Sequence, residues 1–143
     1  MSEERTLVLI KPDGVARGLM GEVFSRLERK GYRITDMRMV TATEAQLREH
    51  YADKVDAPYF PEIVDYMTSG PLVAMIVTGT NIVKNFRVMA GVTNPSEAAP
   101  GTIRGDYGRD WEDGAVRNIV HSSDSVANAE HEIGVWFSWI QIE

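Results

Sequence analysis

Thr6-Leu7-Val8-Leu9-Ile10 is a continuous apolar run that ends abruptly at Lys11-Pro12-Asp13-Gly14. A run this short, without polar alternation, is typical of a β-strand that is covered on both faces. Proline and glycine directly after it favour a turn. The pattern therefore predicts a buried strand over residues 6–10, and it places the charged side chain of Lys11 at the end of that strand.

Helical and extended patterns alternate along the rest of the chain. Apolar residues recur at helical spacing, and Thr43-Glu44-Ala45-Gln46 has the pattern of a capping box at a helix start. Strands are predicted at 33–40, 72–77 and 119–120; helices are predicted at about 21–30, from 44 toward 51, at 61–67, from 82 to near 91 and from 126 to about 137, with a glycine- and proline-rich loop at 94–114. Strands that alternate with helices indicate an α/β or α+β sandwich.

The composition is that of a globular protein. The 143 residues are 43% hydrophobic and 25% charged and contain no repeat or linker, so we expect a single domain over residues 1–143. No apolar run reaches the roughly 18 residues of a membrane span, and no secretory leader is visible, so a cytoplasmic protein with no membrane partner is expected. The absence of cysteine excludes disulfides, cysteine nucleophiles and thiolate metal sites. A formal net charge of −6 argues against a broad nucleic-acid interface.

The segment Asn118-Ile119-Val120-His121-Ser122-Ser123-Asp124-Ser125 carries the clearest chemical signal. It places a histidine among small polar side chains just before a predicted helix, whose N-terminal N–H groups favour a bound anion. Phosphate is the natural candidate, and the alternative is a surface loop whose serines and aspartate merely cap the helix. At its ordinary pKa of about 6.5, a histidine nucleophile would lose activity in mild acid.

Three cations could meet a phosphate near this histidine. Lys11 follows a buried strand, Arg87 lies on a predicted helix, and Arg104 lies in Pro100-Gly101-Thr102-Ile103-Arg104-Gly105-Asp106. Arginine offers a fork of donors and lysine a point charge, which is the mixture that suits phosphate. Each residue alone is more often a solvated surface charge. The chain contains neither a P-loop motif nor a dinucleotide-binding motif, so any phosphate chemistry must use a different kind of phosphate-binding site.

Five segments follow one another in the order Thr6-Leu7-Val8-Leu9-Ile10-Lys11-Pro12-Asp13-Gly14, Ser69-Gly70-Pro71, Thr93-Asn94-Pro95, 100–106 and 118–125. Together they resemble the motifs of the nucleoside diphosphate kinase family, and the resemblance covers essentially the whole chain. It implies a ferredoxin-like βαββαβ antiparallel sheet with helices packed on it. It also implies transfer of the γ-phosphoryl group from a nucleoside triphosphate to a nucleoside diphosphate, in a ping-pong reaction through a phosphohistidine.

The resemblance also implies a role for individual residues. His121 matches the family's nucleophile, Glu132 the glutamate that orients the histidine ring, and Ser123 the serine that bonds to that glutamate. Tyr59 stands where the family places an aromatic ring against the base, and stacking of this kind implies broad base specificity. The residues that match phosphate and sugar contacts are Lys11, Tyr51, Arg87, Thr93, Arg104 and Asn118. Lys11, Arg104 and Asn118 would act on the reacting phosphoryl group and the nucleotide hydroxyls, and Arg87 and Thr93 would hold the other phosphates.

Magnesium is expected to arrive with the nucleotide, held by substrate phosphates and water rather than by direct protein ligands. His50 and His131 are both interpreted as incidental surface residues. By resemblance we expect a homo-oligomer, most often a hexamer and otherwise a tetramer.

Two features depart from the family pattern. Ser122 stands directly after the nucleophile, where glycine is common, and the loop around residues 109–113 looks longer than usual and is acidic around Trp111. This loop is expected to pack at the edge of the nucleotide site or at a subunit contact, with a solvated excursion as the alternative. Two further readings of the whole chain are a catalytically silent scaffold and a single-strand nucleic-acid binder on the same fold class.

Overall fold

The computed structural model describes residues 3–137, which form a four-stranded antiparallel sheet in the order β2-β3-β1-β4. The elements are β1 (Glu3–Ile10), α1 (Pro12–Ala16), α2 (Met20–Arg29), β2 (Arg33–Val40), α3 (Glu44–His50), α4 (Phe60–Met67), β3 (Leu72–Thr80), α5 (Ile82–Ala90), α6 (Ile103–Tyr107), β4 (Val120–Ser122) and α7 (Val126–Phe137). The succession β1-α2-β2-β3-α5-β4 is the βαββαβ pattern of the predicted ferredoxin-like sandwich, and it confirms that prediction.

The strand predicted from the opening apolar run lies in the middle of the sheet. β1 pairs antiparallel with β3 on one side and with β4 on the other. Its side chains alternate between two separate cores, since Val8 and Ile10 pack with α2 and α5, while Leu7 and Leu9 pack with α3, α4 and α7. All four are completely buried, which is the reason that the strand shows no polar alternation.

Local sequence signals fix the helix that leads into the site. Thr43 caps α3: its Oγ1 accepts from the Gln46 backbone N–H at 3.1 Å, and the Gln46 side chain accepts from the Thr43 N–H at 3.0 Å. The predicted capping box is thus confirmed. Within residues 3–137, no helix combines the length and the apolar character needed to cross a membrane.

Two local predictions need correction. The segment 11–14 is not a simple turn, because Pro12 starts the short helix α1, where a proline at the first helical position loses no hydrogen bond. The loop predicted over 94–114 contains a single 3-10 turn at Pro95–Glu97 and the helix α6. Thr102 is the N-cap of α6, and its Oγ1 accepts from the Gly105 N–H at 2.9 Å. The cap therefore stabilises the short helix that carries Arg104.

Candidate active site

β4 presents His121 beside the central strand of the sheet, opposite Leu9 of β1. The residue two positions earlier, Ile119, has φ of 72°, a conformation that is a genuine outlier for a β-branched residue and costs on the order of 1–3 kcal/mol. Its carbonyl accepts from the Lys11 backbone N–H at 2.7 Å. The hydrogen bond between Lys11 and Ile119 therefore holds the end of β1 against the start of β4, and it keeps Lys11 near His121.

The ring of His121 is oriented by a chain of buried polar groups. Its Nε2 lies 2.8 Å from Oε1 of Glu132, and the same oxygen accepts from Ser123 Oγ at 2.6 Å. Ser123 is completely buried, and its Oγ in turn accepts from the Leu7 N–H at 3.3 Å. Because Oε1 acts as the acceptor, Nε2 carries the ring proton and Nδ1 keeps its lone pair. Nδ1 makes no hydrogen bond within residues 3–137.

Lys11, Arg104 and Asn118 form a connected cluster next to this ring. The Lys11 ammonium donates to Asn118 Oδ1 at 2.7 Å, and the Arg104 guanidinium donates to the carbonyls of Asn118, Gly91 and Val120 at 3.1, 2.8 and 2.6 Å. Asn118 completes the cluster by donating to the Thr93 carbonyl at 3.2 Å. All three side chains are buried. The cluster brings together two cations that lie far apart in the sequence, and hydrogen bonds hold both side chains in place.

Burial and mutual repulsion shift the pKa values of these groups. Burial, followed by the positive charges of Lys11 and Arg104, lowers the pKa of His121 to about 3. Burial and the charge of Arg104 lower the pKa of Lys11 to about 7, while burial lowers that of Arg104 to about 10. Burial raises the pKa of Glu132. The histidine is therefore neutral well below the ordinary pKa of about 6.5, and the decline in mild acid expected from the sequence is not supported.

These groups line an open cleft of about 1400 Å³. Of the residues singled out from the sequence, the cleft wall contains Lys11, Tyr51, Arg87, Thr93, Arg104, Asn118, His121 and Glu132, together with Ser122. Ser123 lies behind Glu132. Arg87 and Thr93 are exposed, and Tyr59 is 48% exposed at the start of α4, outside the wall of the cleft. The structure thus gathers the predicted set except Tyr59, whose ring has no contact with the cleft.

His50 was expected on the surface, and that expectation is wrong. It is only 8% exposed, and its ring lies edge-to-face against that of His121, with centroids 4.4 Å apart. The sequence contains a signal for this burial, because His50 lies three positions after the buried Leu47 on the same face of α3. His131, by contrast, is exposed as expected.

The loop at 109–113 does not line the cleft. The Trp111 ring stacks against the Arg109 guanidinium at 3.9 Å, with Arg17 and Arg117 each at 5.5 Å from its centroid. It borders a separate cavity of about 390 Å³ beside α1, together with Pro12, Tyr66 and other residues. Within residues 3–137 the loop contributes no residue to the cleft wall, and both places expected for it stay predictions.

A neutral, half-buried histidine with a free lone pair, beside a fixed lysine and arginine in an open cleft, is an arrangement suited to phosphoryl transfer. The chain belongs to the nucleoside diphosphate kinase family, because the family model of nucleoside diphosphate kinase matches residues 4–142. It is accordingly a phosphotransferase that moves the γ-phosphoryl group of a nucleoside triphosphate to a nucleoside diphosphate.

Similar proteins span distant lineages. Nucleoside diphosphate kinase B of Rattus norvegicus is 54% identical over 94% of this chain and 86% of its own length, and the nucleoside diphosphate kinase of Archaeoglobus fulgidus is 54% identical over 94% and 87%. Among solved structures, the halophilic enzyme of Halobacterium salinarum in complex with CDP has a TM-score of 0.89 at 40% identity, covering 95% of this chain and 88% of its own. A transition-state mimic of the Borrelia burgdorferi enzyme, with bound vanadate and ADP, has a TM-score of 0.87 at 34% identity over 94% and 87%.

Proposed function

We propose that His121 is the nucleophile of this kinase and that Nδ1 is the attacking atom. The observation that carries the proposal is the bond of Nε2 to Glu132, which leaves the lone pair on Nδ1. In the first half-reaction a bond forms between Nδ1 and the γ-phosphorus, the bridging P–O bond breaks, and the nucleoside diphosphate leaves. The ring becomes positively charged, and Glu132 stabilises that charge. A second nucleoside diphosphate then reverses the step, so one site serves both nucleotides.

Lys11 and Arg104 stabilise the transferring phosphoryl group. Arg104 has five N–H donors, of which three hold backbone carbonyls, so two remain for phosphate oxygens; Lys11 has three donors, of which Asn118 takes one. Since both side chains are already fixed, little reorganisation accompanies the loose transition state of phosphoryl transfer. Asn118 positions Lys11 and lies within reach of the nucleotide hydroxyls.

Binding of the rest of the nucleotide falls to residues toward the cleft rim. Arg87 and Thr93 are placed to hold the remaining phosphates, and Tyr51, at the end of α3, to contact the phosphate and sugar. Tyr59, which is 48% exposed next to α4, offers a stacking surface to a base that extends past the rim. Stacking does not distinguish bases, so broad base specificity follows.

We propose Mg²⁺ as the divalent cation of this nucleotide kinase. Among residues 3–137 one group of three potential ligands lies close enough to share an ion, and it contains two histidines and a single carboxylate, His50, His121 and Glu132. Magnesium prefers oxygen ligands, so this donor set does not suit it, whereas a cation that arrives on the phosphates and retains waters needs no such group. When bound, the ion would neutralise the charge of the phosphates.

We also propose a cytoplasmic homo-oligomer in which each subunit is one kinase domain over residues 1–143. The strand β2 supports assembly, because it lies at an edge of the sheet formed by residues 3–137 and its Met37 and Met39 are 50% and 56% exposed. An exposed edge that carries large apolar side chains is suited to a contact between subunits. A hexamer is the expected state and a tetramer the second choice. Sedimentation as a monomer at micromolar concentration would contradict this.

Mass measurement of the intact protein tests the nucleophile. Incubation with a nucleoside triphosphate and no acceptor is expected to add one acid-labile phosphate, which any nucleoside diphosphate then removes. His121→Ala should lose both steps and keep its fold. His131→Ala, which changes an exposed histidine, is the matched control and should match the unaltered enzyme. An active His121→Ala variant would overturn the assignment, and a silent scaffold would show no phosphorylation at all.

A further inference from the structure

His50 is held in place by a tryptophan from the last helix. The Trp136 indole Nε1–H donates to His50 Nδ1 at 3.0 Å, and Trp136 itself is almost fully buried in the core between α3, α7 and the sheet. An indole nitrogen can only donate, so His50 Nδ1 must be an acceptor and the ring proton must lie on Nε2. Burial, reinforced by His121, lowers the pKa of His50 to about 3. His50 is therefore a neutral ring with one fixed tautomer.

The same ring touches the nucleophile. The rings of His50 and His121 meet at an interplanar angle of 71° with centroids 4.4 Å apart, and Tyr51 and Trp136 pack edge-to-face on His50 at 4.6 and 5.8 Å. His50 is thus clamped by two aromatic side chains and in turn contacts His121. Its Nε2 is buried without a hydrogen-bond partner among residues 3–137, so the ring contact is the direct interaction between the two histidines.

A transition-metal site is the obvious alternative use of these groups. The potential ligand atoms of His50, His121 and Glu132 all lie within 4.8 Å of one another, and two histidines with a carboxylate are a common zinc set. Zinc would need the Nε2 lone pair of His50, and that atom carries the proton because Trp136 occupies Nδ1. Binding would require the other tautomer and the loss of the indole bond. The hydrogen-bond pattern therefore argues against a metal.

We propose that His50 is a positioning residue for the nucleophile. A single hydrogen bond to Glu132 fixes where Nε2 of His121 lies but leaves the ring free to turn about that bond, whereas the edge-to-face contact with His50 fixes the plane. The inference rests on the assignment of His121 as the nucleophile. Attack on phosphorus requires the Nδ1 lone pair to be aligned with the breaking bond, and a misplacement of about 1 Å can reduce a rate on the order of 100-fold.

Two substitutions can separate the two interactions of His50, which are its hydrogen bond with Trp136 and its ring contact with His121. His50→Asn places an amide oxygen near the position of Nδ1 and keeps an acceptor for Trp136, but it removes the ring. His50→Phe keeps the ring against His121 but removes the Nδ1 acceptor of the buried indole N–H, and the loss of this hydrogen bond destabilises the fold by about 1–3 kcal/mol. If the ring contact is what matters, the asparagine variant is more stable and slower, and the phenylalanine variant is less stable and faster.

The rate to measure is the single-turnover formation of phosphohistidine, at a nucleotide concentration that saturates each variant. We expect a 10- to 100-fold loss for His50→Asn with the nucleotide dissociation constant unchanged, and a loss below about threefold for His50→Phe. Leu47→Ala, which removes a buried side chain from the same face of α3, is the matched control: it should lower the melting temperature and leave the rate unchanged. ¹⁵N NMR of His121 should show the Nε2–H tautomer in both variants, because both keep Glu132, and broadening of the ring signals by motion only in the asparagine variant.

Several results would overturn the proposal. Rates that follow the melting temperatures across all three variants would make His50 purely structural. A wild-type rate in His50→Asn, or a rescue by His50→Gln that His50→Phe does not give, would mean that the ring contact is not used. These results remain distinct from failure of the nucleophile assignment, since in that case the unaltered enzyme would carry its phosphate on a residue other than His121.

Discussion

The two ends of the cleft differ in how far they are organised before a nucleotide arrives. At the inner end, Lys11 and Arg104 are buried, His121 is half-buried, and hydrogen bonds tie all three to fixed partners. At the outer end, Arg87 and Thr93 are exposed, and the exposed ring of Tyr59 lies beyond the cleft wall. Donors that are fixed in advance stabilise a transition state without reorganisation, whereas exposed side chains lose conformational freedom when they bind. The inner end is therefore suited to catalysis and the outer end to modest, adaptable binding.

Burial at the inner end also has an electrostatic consequence. Burial, together with mutual repulsion between these positive groups, lowers the pKa values of Lys11, Arg104 and His121. A phosphate that enters this region relieves the repulsion between the cations. The two buried cations thus favour a highly charged anionic ligand at the inner end more strongly than the exposed side chains do at the outer end.

Removal of a fixed cation should have the largest effect. Lys11→Ala or Arg104→Ala is expected to cost about 3–4 kcal/mol of transition-state stabilisation, or roughly 100- to 1000-fold in kcat, which is the scale for one preorganised donor. Lys84→Ala is the matched control, because Lys84 is an exposed cation of α5 at the same cleft and should be nearly silent. Steady-state kinetics would measure the loss of kcat, and melting temperatures would show that the fold is kept. Equal losses of kcat in the Lys84 and Lys11 variants would mean that the positive charge acts only diffusely.

The pH dependence of kcat and kcat/KM should report the lowered pKa values at the inner end of the cleft. The pKa of Lys11 is lowered to about 7, so as pH rises through 7 the free enzyme loses this charge and kcat/KM should fall. A bound phosphate favours the charged lysine, so kcat should fall only at higher pH. His121, with its pKa lowered to about 3, stays neutral down to pH 5 and contributes no acid decline there.

Lys11→Arg is the control for this profile, because a guanidinium stays charged and should remove the alkaline decline whatever its effect on the absolute rate. The acid side should be compared with the ionisation of the nucleotide itself, whose terminal phosphate titrates near pH 6. An alkaline decline that persists unchanged in Lys11→Arg would contradict the assignment to Lys11.

A change at the outer end should act on binding alone. Tyr59→Ala is expected to raise KM by up to about tenfold with little change in kcat, since one base–aromatic stack contributes about 1–3 kcal/mol and an exposed ring lies at the low end of that range. Purine and pyrimidine nucleotides should be affected in the same order of magnitude. A fall in kcat at unchanged KM would place Tyr59 among the groups that act in the transition state.

The loop at 109–113 should matter least for the reaction. Replacement of these residues by a short turn removes the Trp111 ring and its stacking on three arginines, each stack contributing about 0.5–1 kcal/mol where exposed. We expect kcat and KM to be unchanged and either the melting temperature or the oligomer to be weakened. Thermal unfolding and sedimentation measure the two effects. A protein with unchanged mass, kinetics and stability would show that the loop has neither role.

The sequence by itself determined the elements and most of the site's membership. The strands and helices follow from periodicity, Lys11, Arg104 and His121 stand out from their local sequence, and Asn118 was expected from the family resemblance. Helix α1 was missed because Pro12 and Gly14 favour a turn locally, while contact with the sheet and with Ile119 makes the short helix favourable.

Only the tertiary structure decided how those residues behave. That His50 is buried against His121, that Trp136 fixes its tautomer, that Tyr59 stays outside the cleft wall and that His121 remains neutral in mild acid all depend on neighbours from distant segments. Burial and Coulomb interactions fall off with distance in space, not along the chain, so a one-dimensional pattern carries the identity of these groups but not their protonation, their orientation or their partners.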